Sequence, residues 1–241
     1  MSSVQAQVPE SILNEDPATL TAPMIPDRIE GINRFMFKFN DGLYRVTLRP
    51  ISRGYSAVVP TPVRRGIGNF FHNLAYPTRL VGNILEGHPR GAWVETHRFL
   101  VNTVAGFGGF FAAADRDPKL RIAETDLGQA FATWGVGHGT YLVLPLLGPT
   151  SLRDGIGQGI SGIYLSPVQY LPEWEYRTGA SVLDVVNQSP DTMQAYDNLI
   201  GASIDPYSAL RNAFASRRAQ QVREQKEARI KFKPTERQAK R

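Results

Sequence analysis

Cysteine is absent from all 241 residues of the sequence. Its absence excludes disulfides, thiol catalysis, thiolate metal sites and iron–sulfur clusters, and it leaves no thiol to accept a lipid. Long apolar runs are absent too. The longest, from Val104 to Ala114, has 11 residues, whereas a membrane-spanning helix needs about 20. We therefore expect no helix that crosses a bilayer.

Charge is sparse and unevenly placed. Charged residues make up 20% of the chain and hydrophobic residues 42%, which is typical of a globular protein. From Arg211 onwards, eleven Lys and Arg residues stand against three Glu, so the net charge of +5 leaves about −3 for the first 210 residues. We interpret the basic segment as a solvated tail or as a site for an anionic partner, either lipid headgroups or nucleic acid.

Motifs of several enzyme classes are missing. None of the four histidines belongs to an H-E-x-x-H pair, and neither a G-x-S-x-G nucleophile elbow nor a Walker A loop occurs. Gly157, Gly159 and Gly162 match G-x-G-x-x-G, but no alternation of strands and helices follows, so we interpret the match as chance. The sequence predicts no enzyme, no metal site and no cofactor.

Helical periodicity is what the sequence does have. Apolar residues recur at helical spacing along most of the chain, which predicts an all-α fold of amphipathic helices in a single domain with little or no β-structure. The first helix covers residues 28–44 and has an unusually aromatic face. Asp27 and Glu30 have the spacing of a capping box at its start.

Prolines, glycines and capping residues mark the element boundaries. Pro77 should break or kink the helix that precedes it. Pro190 should start a new helix, which predicts a helix pair over residues 171–188 and 189–202. Ser151 and Asp205 are predicted N-caps. Residues 135–151, "GVGHGTYLVLPLLGPTS", form the one convincing extended segment.

Three regions differ in composition. Residues 1–26 are polar, contain prolines and show no periodicity, so we expect a disordered leader. Residues 27–216 carry the helical pattern and form the predicted domain. Residues 217–241 form the basic C-terminal helix or tail.

Amphipathic helices and clustered glycines are the remaining signal. An aromatic helix face is typical of core packing or of a membrane interface, and the number of such faces here favours contact with lipid. Glycines cluster beside apolar runs, most densely in "TVAGFGGFFAAAD" at 103–115. Glycine in such a place allows close backbone approach or a mobile hinge.

Five blocks of the sequence resemble the MlaA family, also called VacJ. They are "IEGINRFMFKFND", "NFFHNLAYPTRLVGNILEG", "RFLVNTVAGFGGFFAAA", "DLGQAFATWGVGHGTYLVLPLLGPTSLRDGIG" and "DPYSALRNAF", and together they extend over roughly residues 26–216. The resemblance implies a phospholipid-transport component of the Gram-negative outer membrane. It implies a ring of amphipathic helices around an amphipathic pore, embedded in the inner leaflet and facing the periplasm.

The resemblance also implies partners and a function. Such proteins associate with trimeric porins, remove phospholipid mislocalised in the outer leaflet, and pass it to a periplasmic carrier of the MlaC type. The resemblance implies no nucleic-acid partner. Family members usually begin with a signal peptide that ends at a lipidated cysteine, and neither is present here. We expect a trimmed form that starts after that cysteine, or a member without a lipid.

Two sets of residues are the candidate functional positions. As a lipid-pathway or pore-hinge element we predict Phe107, Gly108, Gly109, Phe110 and Phe111 with the facing segment that contains His138, Tyr141 and Leu142. As membrane-facing residues we predict Phe35, Met36, Phe39, Phe70 and Phe71. The glycine stretch could instead close a buried turn between helices.

Two other functions stay open at this stage. One is a soluble helical scaffold that binds nucleic acid or an acidic protein through its basic tail. The other is a lipid hydrolase.

Overall fold

The helical periodicity of the sequence produces a mainly helical fold. A computed structural model describes residues 25–231, with side chains as far as residue 228. The α-helices are α1 (Glu30–Leu43), α2 (Arg49–Val58), α3 (Thr61–Leu74), α4 (Tyr76–Leu85), α5 (Pro89–Val104), α6 (Leu127–Thr133), α7 (Leu152–Ile160), α8 (Trp174–Gly201) and α9 (Pro206–Lys231). The predicted all-α class is confirmed. Most of the predicted leader lies outside the described residues, as does the end of the basic tail.

Prolines shape the joints between the first helices. A wider π-helical turn, Tyr44–Leu48, joins α1 to α2 just before Pro50, whose ring lacks an N–H and disfavours a regular preceding turn. Further along, α3 ends at Leu74 and α4 begins at Tyr76 with Pro77 in its first turn. The predicted break at Pro77 is therefore confirmed.

Helix α8 is continuous where the sequence predicted two helices. Pro190 lies inside it, and its missing N–H leaves the carbonyl of Val186 without the usual donor. The Ser189 hydroxyl donates to that carbonyl at 2.7 Å. The prediction of a helix pair is wrong because a side chain replaces the hydrogen bond that proline removes.

A small hairpin is the only sheet in the described part of the chain. Strand β1 (Tyr141–Leu144) pairs antiparallel with β2 (Gly148–Ser151), with Tyr141 opposite Ser151. This hairpin is the extended segment that the sequence predicted. The Ser151 hydroxyl then caps α7 by accepting from the Asp154 N–H at 3.3 Å, as predicted.

Two asparagines seven residues apart bind α1 to the hairpin. Asn33 donates to the carbonyl of Tyr141 at 2.9 Å and accepts from the Val143 N–H at 2.9 Å. Asn40 makes the same pair of bonds near the turn, donating to Leu144 and accepting from Leu146, each at 2.9 Å. The two amides thus satisfy the open edge of β1 as a neighbouring strand would.

Asp27 does not cap α1. The helix starts at Glu30 and the preceding Ile29 makes no side-chain cap, so the predicted capping box is wrong. The Asp27 carboxylate instead accepts from Asn33 Nδ2 at 2.8 Å, from the Tyr207 hydroxyl and from Arg211 Nη1 at 3.4 Å. It joins the first helix to the last.

At the start of α9, Asp205 accepts from the N–H groups of Tyr207 and Ser208 and is the predicted N-cap.

Candidate functional site with a polar interior

Apolar and polar side chains are distributed in the reverse of the usual order. Among the residues whose side chains are described, ten hydrophobic residues are buried against nineteen polar or charged ones, while 31 large hydrophobics are exposed. We call the exposed set the apolar shell; it includes Phe35 at 63% exposure, Trp93 at 65% and Val104 at 84%. A surface this apolar is typical of a protein that contacts lipid.

No helix in the described residues is long and apolar enough to span a bilayer. The apolar shell is built instead from the faces of short helices such as α1, α2 and α7.

A buried cluster of charges ties α9 to α6 and α7. Arg218 donates from Nη2 to Asp154 Oδ1 at 2.8 Å and from Nη1 to Asp126 Oδ2 at 2.6 Å. Arg153 lies beside the same Asp154, with Nη2 at 2.9 Å from Oδ1. Burial by itself would raise the pKa of Asp154, but His138 and the Arg218 guanidinium hold that pKa well below its usual range. His138 Nδ1 lies 3.7 Å from Asp154 Oδ2, beyond hydrogen-bond distance, so the arginines carry most of this effect.

A second buried ion pair lies between α4 and α5. Arg79 donates from Nε to Glu95 Oε2 at 2.9 Å and from Nη1 to the carbonyl of His72 at 2.7 Å. His72 in turn lies 2.8 Å from Glu124. The hydrogen bond with His72 lowers the pKa of Glu124.

Part of these two clusters, namely His72, Arg79, Glu124, Asp126 and Arg218, lines a cavity of about 530 Å³. Its walls come from α3, α4, residues 124–126, α6, β2, α7 and α9. We call it the polar cavity, because arginine, histidine, carboxylate and amide side chains form most of its lining. Its volume lies within the usual range for small-molecule sites.

The predicted glycine hinge is a tight turn that packs on α3. Phe107, Gly108 and Gly109 all have positive φ, at 56°, 72° and 98°. A Cβ on Gly109 would stand 2.6 Å from the Cβ of Asn73, so this glycine is required by close approach. Asn73 of α3 also donates to Thr103 at 3.0 Å, just before the turn.

Aromatic side chains of this turn lie partly in the apolar shell. Phe107 is 79% exposed and Phe111 65%. Phe110 contacts Phe70 of α3, with ring centroids 5.3 Å apart, and its carbonyl accepts from Asn69 at 3.1 Å. The turn therefore combines an anchored backbone with exposed rings.

The other half of the predicted hinge has different partners. Tyr141 is fully buried and packs against Tyr207 and Phe214 of α9, and burial raises its pKa. His138 lies beside Asp154 of α7, and Leu142 is half-buried in β1. The contacts of this segment are with α1, α7 and α9, whereas those of the glycine turn are with α3.

The predicted membrane-facing residues divide into two groups. Phe35 and Phe39 of α1 are exposed and belong to the apolar shell. Met36 is partly buried and packs against the core cluster that includes Tyr141 and Tyr207. Phe70 and Phe71 are half-buried with their ring centroids 5.6 Å apart.

Sequence reasoning missed the polar interior. Arg218 stands in a run of basic residues interpreted as a solvated tail, yet it is 8% exposed. Asp126, Asp154 and Glu95 were not among the candidate functional residues. No local signal separates these residues from surface charges, because their partners are distant in sequence.

In the described residues, no group of His, Asp and Glu side chains could hold a metal ion.

Comparisons with known proteins agree on one family. The family model described as MlaA lipoprotein matches residues 25–221. The intermembrane phospholipid transport system lipoprotein MlaA of Escherichia coli (strain K12) is 35% identical over 194 residues, which cover 79% of this chain and 76% of that protein. Its namesake in Haemophilus influenzae is 32% identical over 194 residues, covering 78% and 76%.

A solved structure has the same fold. It is described as "Structural basis for maintenance of bacterial outer membrane lipid asymmetry" and matches with a TM-score of 0.70 at 34% identity, covering 81% of this chain and 98% of that chain. An identity of this size over most of both chains reflects common descent as well as a common fold. The chain belongs to the MlaA lipoprotein family.

Proposed function

We propose that this chain is a phospholipid-transport component that removes mislocalised phospholipid from the outer leaflet of the Gram-negative outer membrane. The observation that carries the proposal is the reversed distribution of side chains, with an apolar shell outside and charged residues inside. A protein embedded in one leaflet needs an apolar outer surface, and a lipid headgroup needs polar groups along its path. The Escherichia coli relative is named for intermembrane phospholipid transport, which supports the same activity here.

The lipid path combines the polar cavity with the glycine turn. The cavity offers charged groups to the headgroup, and the exposed rings of Phe107 and Phe111 offer apolar contact to acyl chains. Gly108 has open space around it, so the turn can change conformation at that point with little steric hindrance. We propose that this turn is the moving element and that Tyr141, buried under α9, anchors the fixed side.

Outer-membrane association is part of the proposal. The solved relative concerns outer membrane lipid asymmetry, and Phe35 and Phe39 of α1 offer an apolar face to a leaflet. In more detail, we propose that the chain lies in the inner leaflet, associates with a trimeric porin and passes phospholipid to a carrier of the MlaC type. These assignments rest on the family resemblance.

Transport requires a path and not a nucleophile, so we assign no catalytic residue. The competing hydrolase function predicts release of fatty acid when the purified chain is incubated with phospholipid vesicles. The transport function predicts intact lipid.

A complementation experiment tests the proposal. The chain, fused behind the signal peptide and lipidated cysteine of the strain's own MlaA-family protein, is produced in a Gram-negative strain that lacks that protein. Outer-leaflet phosphatidylethanolamine is measured with an amine-reactive dye that does not cross the membrane. We expect labelling to fall towards the level of the parent strain. Labelling that stays at the level of the deficient strain, with the chain folded and abundant, contradicts the proposal.

A flotation experiment separates transport from the scaffold function. A deletion of residues 217–241 would also remove the buried Arg218. The test therefore replaces two exposed basic residues of the tail together, Arg223→Gln and Lys226→Gln. The lipid function requires binding to phospholipid vesicles to survive this change. If vesicle binding came from the basic tail alone, as in the scaffold function, the change should weaken it.

A further inference from the structure

The arginines of the polar cavity are not equivalent. Arg218 has no nitrogen left for a ligand, because its Nε, Nη1 and Nη2 atoms all donate hydrogen bonds to Asp126 or Asp154. Arg79 is committed to Glu95 and to the carbonyl of His72. Arg217 of α9 lines the same cavity, is exposed, and forms no ion pair with any residue in the described range. It is the cation of this cavity that can accept a new anion.

Two residues with acceptor atoms, Gln129 and Glu124, line the same cavity. Gln129 is 2% exposed and lines the cavity, and its Nε2 donates to Asp126 Oδ2 at 3.3 Å, which fixes the orientation of the amide. Its Oε1 is buried without a hydrogen-bond partner. Glu124 is two-thirds exposed and contacts His72 alone among the ion pairs of the described chain. A buried acceptor without a donor is unfavourable, so this wall of the cavity favours a ligand that brings N–H groups.

We propose that the polar cavity is a binding site for the phosphoethanolamine headgroup of a phospholipid, with Arg217 on the phosphate and Glu124 with Gln129 on the ammonium. A guanidinium binds phosphate oxygens with charge-assisted hydrogen bonds. The ammonium carries three N–H donors and one positive charge, which match an unpartnered amide oxygen and a carboxylate. This inference rests on the proposed transport function and adds a headgroup preference to it.

The arrangement discriminates among common headgroups. Phosphocholine carries a positive charge but no N–H, so it leaves Gln129 Oε1 without a donor. Phosphoglycerol carries hydroxyl donors but a net negative charge, which Glu124 repels. The expected order of affinity is therefore phosphoethanolamine above both phosphocholine and phosphoglycerol.

Short-chain lipids test the site on the full chain. Dihexanoyl phosphatidylethanolamine, phosphatidylcholine and phosphatidylglycerol are titrated separately into the purified protein in detergent, and binding is followed by calorimetry. We expect Arg217→Ala to weaken binding of all three lipids by roughly tenfold, because each carries the phosphate. Arg223→Ala is the matched control on the same helix, exposed and outside the cavity, and we expect it to bind as the unchanged chain does.

Glu124→Gln gives an independent readout. This change should reduce the preference for phosphatidylethanolamine over phosphatidylglycerol without weakening the binding of all three lipids equally. It removes the negative charge that attracts the ammonium of phosphatidylethanolamine and repels the anionic phosphatidylglycerol, and it leaves Arg217 to bind the phosphate. A structural defect would instead weaken all three lipids alike.

The outcomes separate this inference from the function on which it rests. Equal binding of the three headgroups, or equal affinity of Arg217→Ala and Arg223→Ala, overturns the headgroup site and leaves transport standing. Failure of the unchanged, folded chain to bind any of the three lipids counts against both.

Discussion

The backbone of Gly157 in α7 lies directly against that of Gly128 in α6. A Cβ on Gly157 would stand 2.5 Å from the Gly128 nitrogen. Both residues are buried, and Gly128 also lies beside Asp154 and Arg218. The closeness of these two glycines therefore sets how near α7, with its carboxylate, comes to the arginine of α9.

Gly157→Ala should lower the free energy of unfolding by about 2 kcal/mol, since the two backbones must separate to admit a methyl group. Gly159→Ala is the matched control, two residues along the same helix with nothing within 4 Å. It should be neutral or stabilise α7 by up to about 1 kcal/mol. Urea unfolding in detergent measures both, and equal effects would contradict the close approach of α6 and α7.

Asp154 should make the free energy of unfolding depend on pH in the acid range. Its pKa is lowered in the fold, so the stability it contributes is fully present above its unfolded pKa of about 3.9 and is lost as pH falls below that value. Asp154→Asn should lower the free energy of unfolding at pH 7 by about 3 kcal/mol, because it leaves two buried arginines short of a charge. The same change should flatten the loss of stability between pH 4 and pH 2, taken as roughly the range of the titration.

The control for that change is Asp115→Asn. Asp115 pairs with Arg98 at 2.7 Å, but its side chain is 58% exposed, so its removal should change the free energy of unfolding by less than about 1 kcal/mol. Urea unfolding at neutral and acid pH compares the two variants. An Asp154→Asn protein with an unaltered acid profile would show that this carboxylate is not the titrating group.

Asn33→Ala should separate α1 from the hairpin. It leaves the Tyr141 carbonyl and the Val143 N–H unpaired in a buried place, which costs about 2 to 4 kcal/mol. Asn40→Ala removes the equivalent bonds at the exposed turn, where water replaces them, and should cost about 1 kcal/mol. Hydrogen exchange at Val143 reports the effect directly, and exchange no faster in Asn33→Ala than in Asn40→Ala would contradict it.

Gly109→Ala should impair the glycine turn more than Gly108→Ala. Both positions have positive φ, which costs an alanine about 1 kcal/mol. Only Gly109 also meets Asn73. If the turn moves during transport, Gly109→Ala should raise outer-leaflet phosphatidylethanolamine in the complementation experiment while the protein stays abundant. Normal lipid asymmetry with both variants would exclude the turn as the moving element.

Phe35→Glu tests the apolar shell. The side chain is 63% exposed, so the change should leave the free energy of unfolding in detergent within about 0.5 kcal/mol of the original. It should weaken flotation with phospholipid vesicles, because a charge replaces buried apolar area at the membrane interface. Phe35→Leu, which keeps an apolar side chain, should float as the unchanged chain does. Equal flotation of both variants would place Phe35 outside the lipid contact.

Most local features of this fold could be predicted from sequence, although the capping box at Asp27 and the helix boundary at Pro190 were wrong. The long-range contacts could not be predicted. The helices, the break at Pro77, the hairpin segment and the caps at Ser151 and Asp205 all depend on residues a few positions apart. Arg218 differs because its partners Asp126 and Asp154 lie 92 and 64 residues away. An arginine inside a basic run looks the same whether it is solvated or buried.

The reversed distribution of side chains could not be predicted for the same reason, since it too depends on contacts between distant parts of the chain. An amphipathic period states that a helix has one apolar and one polar face. It does not state which face is turned inwards. Phe35 and Met36 are neighbours in one aromatic pattern, yet Phe35 is exposed and Met36 packs against the core. Only the positions of the other helices decide between them.

The hydroxyl of Ser189 has a mechanical consequence. Helix α8 continues through Pro190, where this hydroxyl donates to the Val186 carbonyl, so Asn187 and Asp197 belong to one helix. Asn187 accepts from the Tyr55 hydroxyl at 2.7 Å, and Asp197 accepts from Arg49 at 2.9 Å. Because α2 contacts α8 at two separated points, we expect the two helices to move as one piece.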